Sequence, residues 1–184
     1  MKYYSEEARK AKLPECTAFN YLKQLNSDRY DQPALHYYGN DITFKELFDR
    51  IEATAQAFCS IGIRPGMIVS FVSVATPETI AAIYALNKIG ATANMIDPRM
   101  DITSISRMII NSESKVLITL DITFPKTKQI IGLITQDLII TLSAAISLPF
   151  IKKAFMTLKT KTDIPQSILK PSKNVKPTRL VKFV

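Results

Sequence analysis

The chain is 184 residues long, 47% apolar and 22% charged, with five glycines, ten prolines and no tryptophan, which excludes a collagen, a low-complexity tail and a wholly disordered polypeptide. A globular chain of this length buries roughly 70% of its unfolded surface, so neither a metal nor a disulfide is needed merely to fold it. The net charge of +8 is concentrated at one end: residues 1–121 hold 13 Lys/Arg against 14 Asp/Glu, whereas residues 122–184 hold 11 against 2.

Residues 1–33 read as a helical or irregular lead-in, and residues 34–160 as one α/β subdomain. Ala34–Tyr38 predicts a short strand, Gly39-Asn40-Asp41 a turn, and Ile42 the start of a second extended piece. A helix follows, because Thr43 can cap the amide of Glu46 while the Glu46 carboxylate returns to the amide of Thr43; Leu47, Ile51, Ala55 and Phe58 then share one face. Gly62 ends it and Ile63–Gly66 makes a turn. Ile68–Val74 has the β-branched and aromatic density of a buried strand.

Thr76 caps the second helix, with Pro77 at its first position, where proline's missing donor costs nothing. Its buried face is expected to include Ile80, Ile83 and Tyr84, and Gly90 stops it. Ala91–Ile96 returns as a strand, completing a strand-helix-strand unit that is normally right-handed and parallel. Asp97-Pro98-Arg99 turns the chain, Asp101 caps a third helix carrying Ile102, Ile105, Met108 and Ile109, and Lys115–Leu120 supplies another parallel strand. The expected fold is α/β: a layered, mostly parallel sheet flanked by helices.

Beyond Asp121, Thr127–Gly132 and Ile134–Thr141 read as strands, Ile151–Leu158 as a helix, and residues 161–184 as a linker ending in the apolar run Leu180–Val184. The most membrane-like stretch, Leu138–Ile151, is 14 residues long, holds three hydroxyl residues and is broken by Pro149. It is too short to span a bilayer. It reads as a helix covering a sheet or another domain, the alternative being peripheral membrane contact through residues 138–158. Met1-Lys2 is followed by Tyr3-Tyr4-Ser5-Glu6-Glu7 instead of an apolar export core, so a cytoplasmic location is expected. Cys16 and Cys59 match no zinc or iron-sulfur spacing and are expected to be free thiols in a reducing compartment.

His36, the single histidine, sits in a strand-like run and is assigned a structural or exposed role. Asp97 follows a predicted parallel strand, where the ligand crevice of such sheets opens, yet beside Pro98 its simpler role is to fix a turn. Arg99 is the neighbouring candidate for meeting an anion. Gly62 and Gly66 precede a strand and flank Pro65, so they do not form a phosphate cradle. The basic third lacks interleaved aromatics for stacking bases, which argues against nucleic acid. No catalytic, cofactor-binding or metal residue is assigned in residues 1–184.

Ile42-Thr-Phe-Lys-Glu-Leu47, Gly62-Ile-Arg-Pro-Gly-Met-Ile-Val-Ser70, Pro77-Glu78 with Ala81, Leu86-Asn-Lys-Ile-Gly-Ala91 and Asp97-Pro98 occur in an order and spacing more specific than any one match. Together they resemble the amino-terminal part of the acyl-adenylate-forming (AMP-binding) enzymes, most of all the fatty-acid and aryl-acid CoA ligases. Met67 stands where that family often has aspartate, and the usual asparagine ahead of the glutamate is replaced near Ala75 and Thr76. The resemblance implies an amino-terminal fragment of a ligase that uses ATP and Mg2+ to turn a carboxylate into an acyl-adenylate and then a coenzyme A thioester. It implies that the phosphate loop, magnesium ligand, ribose-binding aspartate and catalytic lysine lie beyond Val184, so that the fragment binds none of these cofactors and is inactive. It leaves Glu78 a structural role at a helix start. The implied partners are the remainder of the chain, a carboxylic acid and coenzyme A, with self-association of the isolated fragment through an uncovered apolar edge. Two other readings stand beside it: a non-catalytic scaffold, and a binder of anionic membrane or nucleic acid through residues 122–184.

Overall fold

The computed structural model describes residues 5–12, 14–149 and 179–183. Helices α1 (Glu6–Lys10) and α2 (Ala18–Leu25) lead in. A hairpin follows, β1 (Pro33–Tyr37) paired antiparallel with β2 (Asn40–Thr43). Tyr38 and Gly39 join them with φ of +52° and +88°, the doubly positive pattern of a type I′ turn, whose twist matches the flanking strands.

Helix α3 (Phe44–Ser60) begins with the reciprocal cap: the Glu46 N–H donates to Thr43 Oγ1 at 3.2 Å and the Thr43 N–H to Glu46 Oε2 at 2.9 Å. Then come β3 (Ile68–Val72), α4 (Pro77–Ile89), β4 (Thr92–Ile96), α5 (Ile102–Asn111) and β5 (Val116–Leu120). A 3-10 turn at Asp121–Thr123 leads into α6 (Phe124–Ile131), β6 (Leu138–Leu142) and, later, β7 (Arg179–Phe183).

The second sheet has five strands in the order β4-β3-β5-β6-β7, every neighbour parallel. Val69 and Phe71 of β3, Ile118 of β5 and Ile140 of β6 face one side, packed with Ile51 and Phe58 of α3 and Ala81, Ala82 and Ala85 of α4. Val72, Leu117 and Ile139 face the other side with Ile105, Ile109 and Ile130 from α5 and α6. The crossover from β3 to β4 runs one way along the sheet and the one from β4 to β5 runs back past β3; right-handed connections in opposite directions put their helices on opposite faces, which is the origin of the two layers. Phe19 fastens α2 to this body, its N–H donating to Asn87 Oδ1 at 2.9 Å.

Several expectations are corrected. Helix α4 buries Ala81, Ala82, Ala85 and Leu86, while Ile80, Ile83 and Tyr84 are half-buried at its margins, because a helix pressed between α3 and the sheet puts its small residues at the close contact. The expected strand at Thr127–Gly132 is helix α6: Pro125 occupies its first turn, Phe124, Thr127 and Ile130 are buried at helical spacing, and the parallel step from β5 to β6 needs a crossover element. The strand expected from Ile134 is confined to Leu138–Leu142, so the membrane-like stretch starts as a buried central strand, not a helix.

Arg179–Phe183, expected within a linker, is the strand β7 beside β6. The helix expected at Ile151–Leu158 and the linker over 161–178 lie outside the described residues. Cys16 and Cys59 are exposed and not disulfide-bonded. Among the described residues no helix is long and apolar enough to cross a membrane.

Candidate functional site

The carboxyl ends of β3, β4, β5 and β6 line one edge of the sheet, and the chain reverses direction across β3. In parallel sheets such a reversal opens the crevice where ligands sit. Here it is an open cleft of about 510 Å³, walled by Ser73–Ala75 after β3 and Met95–Arg99 at the end of β4.

Asp97 and Arg99 spend their charges on each other. Asp97 Oδ1 accepts the Arg99 N–H at 2.8 Å, and the Arg99 guanidinium reaches both carboxylate oxygens, with Nη2 to Oδ2 at 2.6 Å. The bonds from Arg99 lower the Asp97 pKa to about 2. Lys126 of α6 clamps the same turn, donating to Pro98 O at 2.7 Å and to Met100 O. Asp97 therefore fixes the turn, and Arg99 is already paired instead of being held open for an anion.

A second constellation gathers where the chain leaves β6. Asp121, 6% exposed, accepts the Ile122 N–H at 2.9 Å, the Ala144 N–H at 3.0 Å and the Ser143 hydroxyl at 2.9 Å. Glu78, in the first turn of α4, accepts the Ser147 N–H at 2.9 Å and the Ser147 hydroxyl at 2.5 Å through one oxygen, Oε1. Arg50 of α3 donates to Ser147 Oγ at 2.7 Å, and Asn40 of β2 donates to Ser147 O at 3.1 Å. Ser147 thus ties together α3, α4 and the hairpin. Tyr37 of β1 lies near enough that burial first, and then the charges of Glu78 and Asp121, push its hydroxyl pKa up and keep it protonated.

Sequence reasoning gave Glu78 its structural place but missed Arg50, Asp121 and Ser147. Only Asp121 carried a local signal, a carboxylate directly after a predicted strand; the others meet across 69 and 97 positions of chain, which no local pattern reports. His36 is exposed, its Nδ1 2.6 Å from Asp41 Oδ1 on the opposite strand of the hairpin. Met67 Sδ accepts the Arg64 N–H at 3.2 Å, so a thioether serves as turn acceptor where the resemblance led one to expect aspartate.

Among the described residues no three His, Cys, Asp or Glu side chains are grouped to hold a metal. The turns after β3, β4 and β5 contain no glycine that would let a backbone approach phosphates closely. No step of nucleotide chemistry is assigned to the described residues.

The model of the AMP-binding enzyme family matches residues 22–178. The 2-succinylbenzoate--CoA ligase of Oceanobacillus iheyensis is 32% identical over 81 residues, covering 44% of this chain and 17% of that protein. The acetyl-coenzyme A synthetase of Yersinia pseudotuberculosis is 31% identical over 110 residues, covering 56% and 17%. Among solved structures, the anthranilate CoA ligase AuaEII superposes with a TM-score of 0.65 at 21% identity, over 70% of this chain and 25% of that one; at that identity the likeness shows the fold. The matched stretch is thus about a sixth of either curated relative. With the family model covering most of the sequence, and a parallel α/β layer shared with a solved ligase, the chain belongs to the AMP-binding enzyme family.

Proposed function

We propose that the protein carrying this chain is an ATP-dependent carboxylate-activating ligase: it joins a carboxylic acid to AMP with release of pyrophosphate, then passes the acyl group to coenzyme A. The observation that carries this reading is the family match over residues 22–178, taken with curated relatives that are CoA ligases and synthetases. ATP, Mg2+ and coenzyme A are the proposed cofactors and co-substrate, bound by other parts of the protein, and a fatty or aryl acid in the cytoplasm is the proposed substrate.

In this reading the chain supplies structure to the site. The parallel sheet sets adjacent strand ends side by side, and each turn that follows is pinned by a side chain: the one after β4 by Asp97, Arg99 and Lys126, the one after β6 by Asp121 and Glu78. Fixed turns hold reacting groups in place without reorganisation. Residues 1–184 by themselves are proposed to be inactive, with the rest of the protein as their partner.

Mass-spectrometric detection of acyl-CoA tests this. The natural protein, given ATP, Mg2+, coenzyme A and a panel of aliphatic and aromatic acids, is expected to form acyl-CoA from one class, and the 184-residue chain to form none. No product from any acid by the folded natural protein contradicts the ligase reading, and product from the isolated chain contradicts its inactivity.

A further inference from the structure

Strand β4 closes one side of the five-stranded sheet, with β3 as its single neighbour. Which of its main-chain groups face outward follows from one bond. The Thr92 N–H donates to Met67 O at 2.8 Å, and Thr92 is the register partner of Ile68. Main-chain groups alternate sides along a strand. Thr92, Asn94 and Ile96 therefore turn their N–H and C=O towards β3, and Ala93 and Met95 turn theirs away from it. Among the described residues no backbone group pairs with those outward groups. The edge is also reachable: Met95 is 45% exposed and borders the open cleft, and Ala93 is half-buried.

Native edge strands are usually blunted by a charge, a proline or a bulge. Thr92-Ala-Asn-Met-Ile96 has no charge and no proline, and its register with β3 runs from Ile68 to Val72 without a break. An antiparallel copy of the same strand fits this edge in a register that uses every outward group. With Asn94 opposite the second copy's Asn94, Ala93 falls opposite the second copy's Met95, and Met95 opposite its Ala93. Each of these pairs exchanges both N–H···O=C bonds, so no outward donor or acceptor of Ala93 or Met95 is left over. The side chains match as well. Val69 and Phe71, the register partners of Ala93 and Met95, face the α3 and α4 layer. On that face the long thioether of each Met95 lies beside a small alanine, and no charged side chain of β4 meets its own copy.

We propose that two copies of this chain join edge to edge, β4 antiparallel to β4, so that their two five-stranded sheets run on as one. The contact is isologous and closes at two copies. It is independent of the carboxylate-activating reading and stands or falls separately from it.

The test is sedimentation equilibrium of the full 184-residue chain over a wide concentration range, with NMR amide exchange on the same samples. The mass is expected to rise from 20.6 kDa to twice that value and stop there, and the Ala93 and Met95 amides to slow about tenfold or more as the dimer forms. Met95→Lys puts a charge on the edge, and Ala93→Pro removes an outward N–H without touching the bonds to β3. Each is expected to weaken the dimer about tenfold or more, and Met95→Lys, at an exposed position, decides the matter if Ala93→Pro fails to fold. Leu133→Lys changes a residue that is 57% exposed in the turn between α6 and β6, and is expected to leave the dimer intact. A monomer at every concentration, growth beyond two copies, Ala93 and Met95 amides that exchange at one rate throughout, a dimer that survives Met95→Lys, or equal dissociation by Leu133→Lys overturns the proposal.

Discussion

Replacing Asp121 by alanine removes the acceptor for three donors at once, and the burial of those donors sets the cost. The Ile122 N–H belongs to an exposed residue and regains a water. Ser143 is half-buried, and its hydroxyl rotates to a new partner. The Ala144 N–H belongs to a residue with 0% exposure and is stranded. An unsatisfied buried donor costs about 1–3 kcal/mol, and the lost bonds to a charged acceptor bring the expected loss for Asp121→Ala to about 3 kcal/mol. Asp121→Asn keeps an oxygen for Ala144 and is expected to cost roughly 1 kcal/mol. Urea denaturation followed by circular dichroism reads both, with the slope unchanged if only stability has moved. A loss of less than about 0.5 kcal/mol for Asp121→Ala, the range of an ordinary surface change, refutes the role given to this carboxylate.

Two further outcomes rest on single contacts. Thr43→Ala, which removes the side-chain acceptor of the α3 capping box, is expected to cost about 1 kcal/mol in the same assay, and Thr43→Ser to cost a few tenths. The Asp97 carboxyl is expected to titrate near pH 2 by NMR. Its pKa is depressed on folding, so its stabilisation is complete above the ordinary value of 3.8 and is lost as pH falls from there towards about 2. Because the bonds from Arg99 are the first cause, Arg99→Ala returns the midpoint towards 3.8; a midpoint that stays at about 2 rules that cause out.

The elements between Ala34 and Leu120 were legible because each begins or ends on a residue with local chemistry. Thr43 with Glu46, Thr76 with Pro77, Asp101 and Gly90 act within one helical turn of their own position, and such signals need no tertiary context. The parts that were misread depend on what packs against them. Ala81, Ala82 and Ala85 look unremarkable on a helix that also carries isoleucines, and only the close approach of α3 and the sheet makes them the inner face. Helix α6 resembles a strand because Thr127, Ile130 and Ile131 are β-branched; its need to cross between two parallel strands decides otherwise. The β6 exit was invisible for a similar reason, since Ser147 gains its meaning from Asn40, Arg50 and Glu78, which reach it from three separate elements.

The most direct test of the carboxylate-activating reading omits coenzyme A altogether. The natural protein is incubated with ATP, Mg2+, labelled pyrophosphate and one carboxylic acid at a time, and label returning to ATP is counted. Reversible acyl-adenylate formation predicts exchange that depends on at least one acid and vanishes without it. No acid-dependent exchange across fatty and aryl acids, in protein shown to be folded, contradicts the reading.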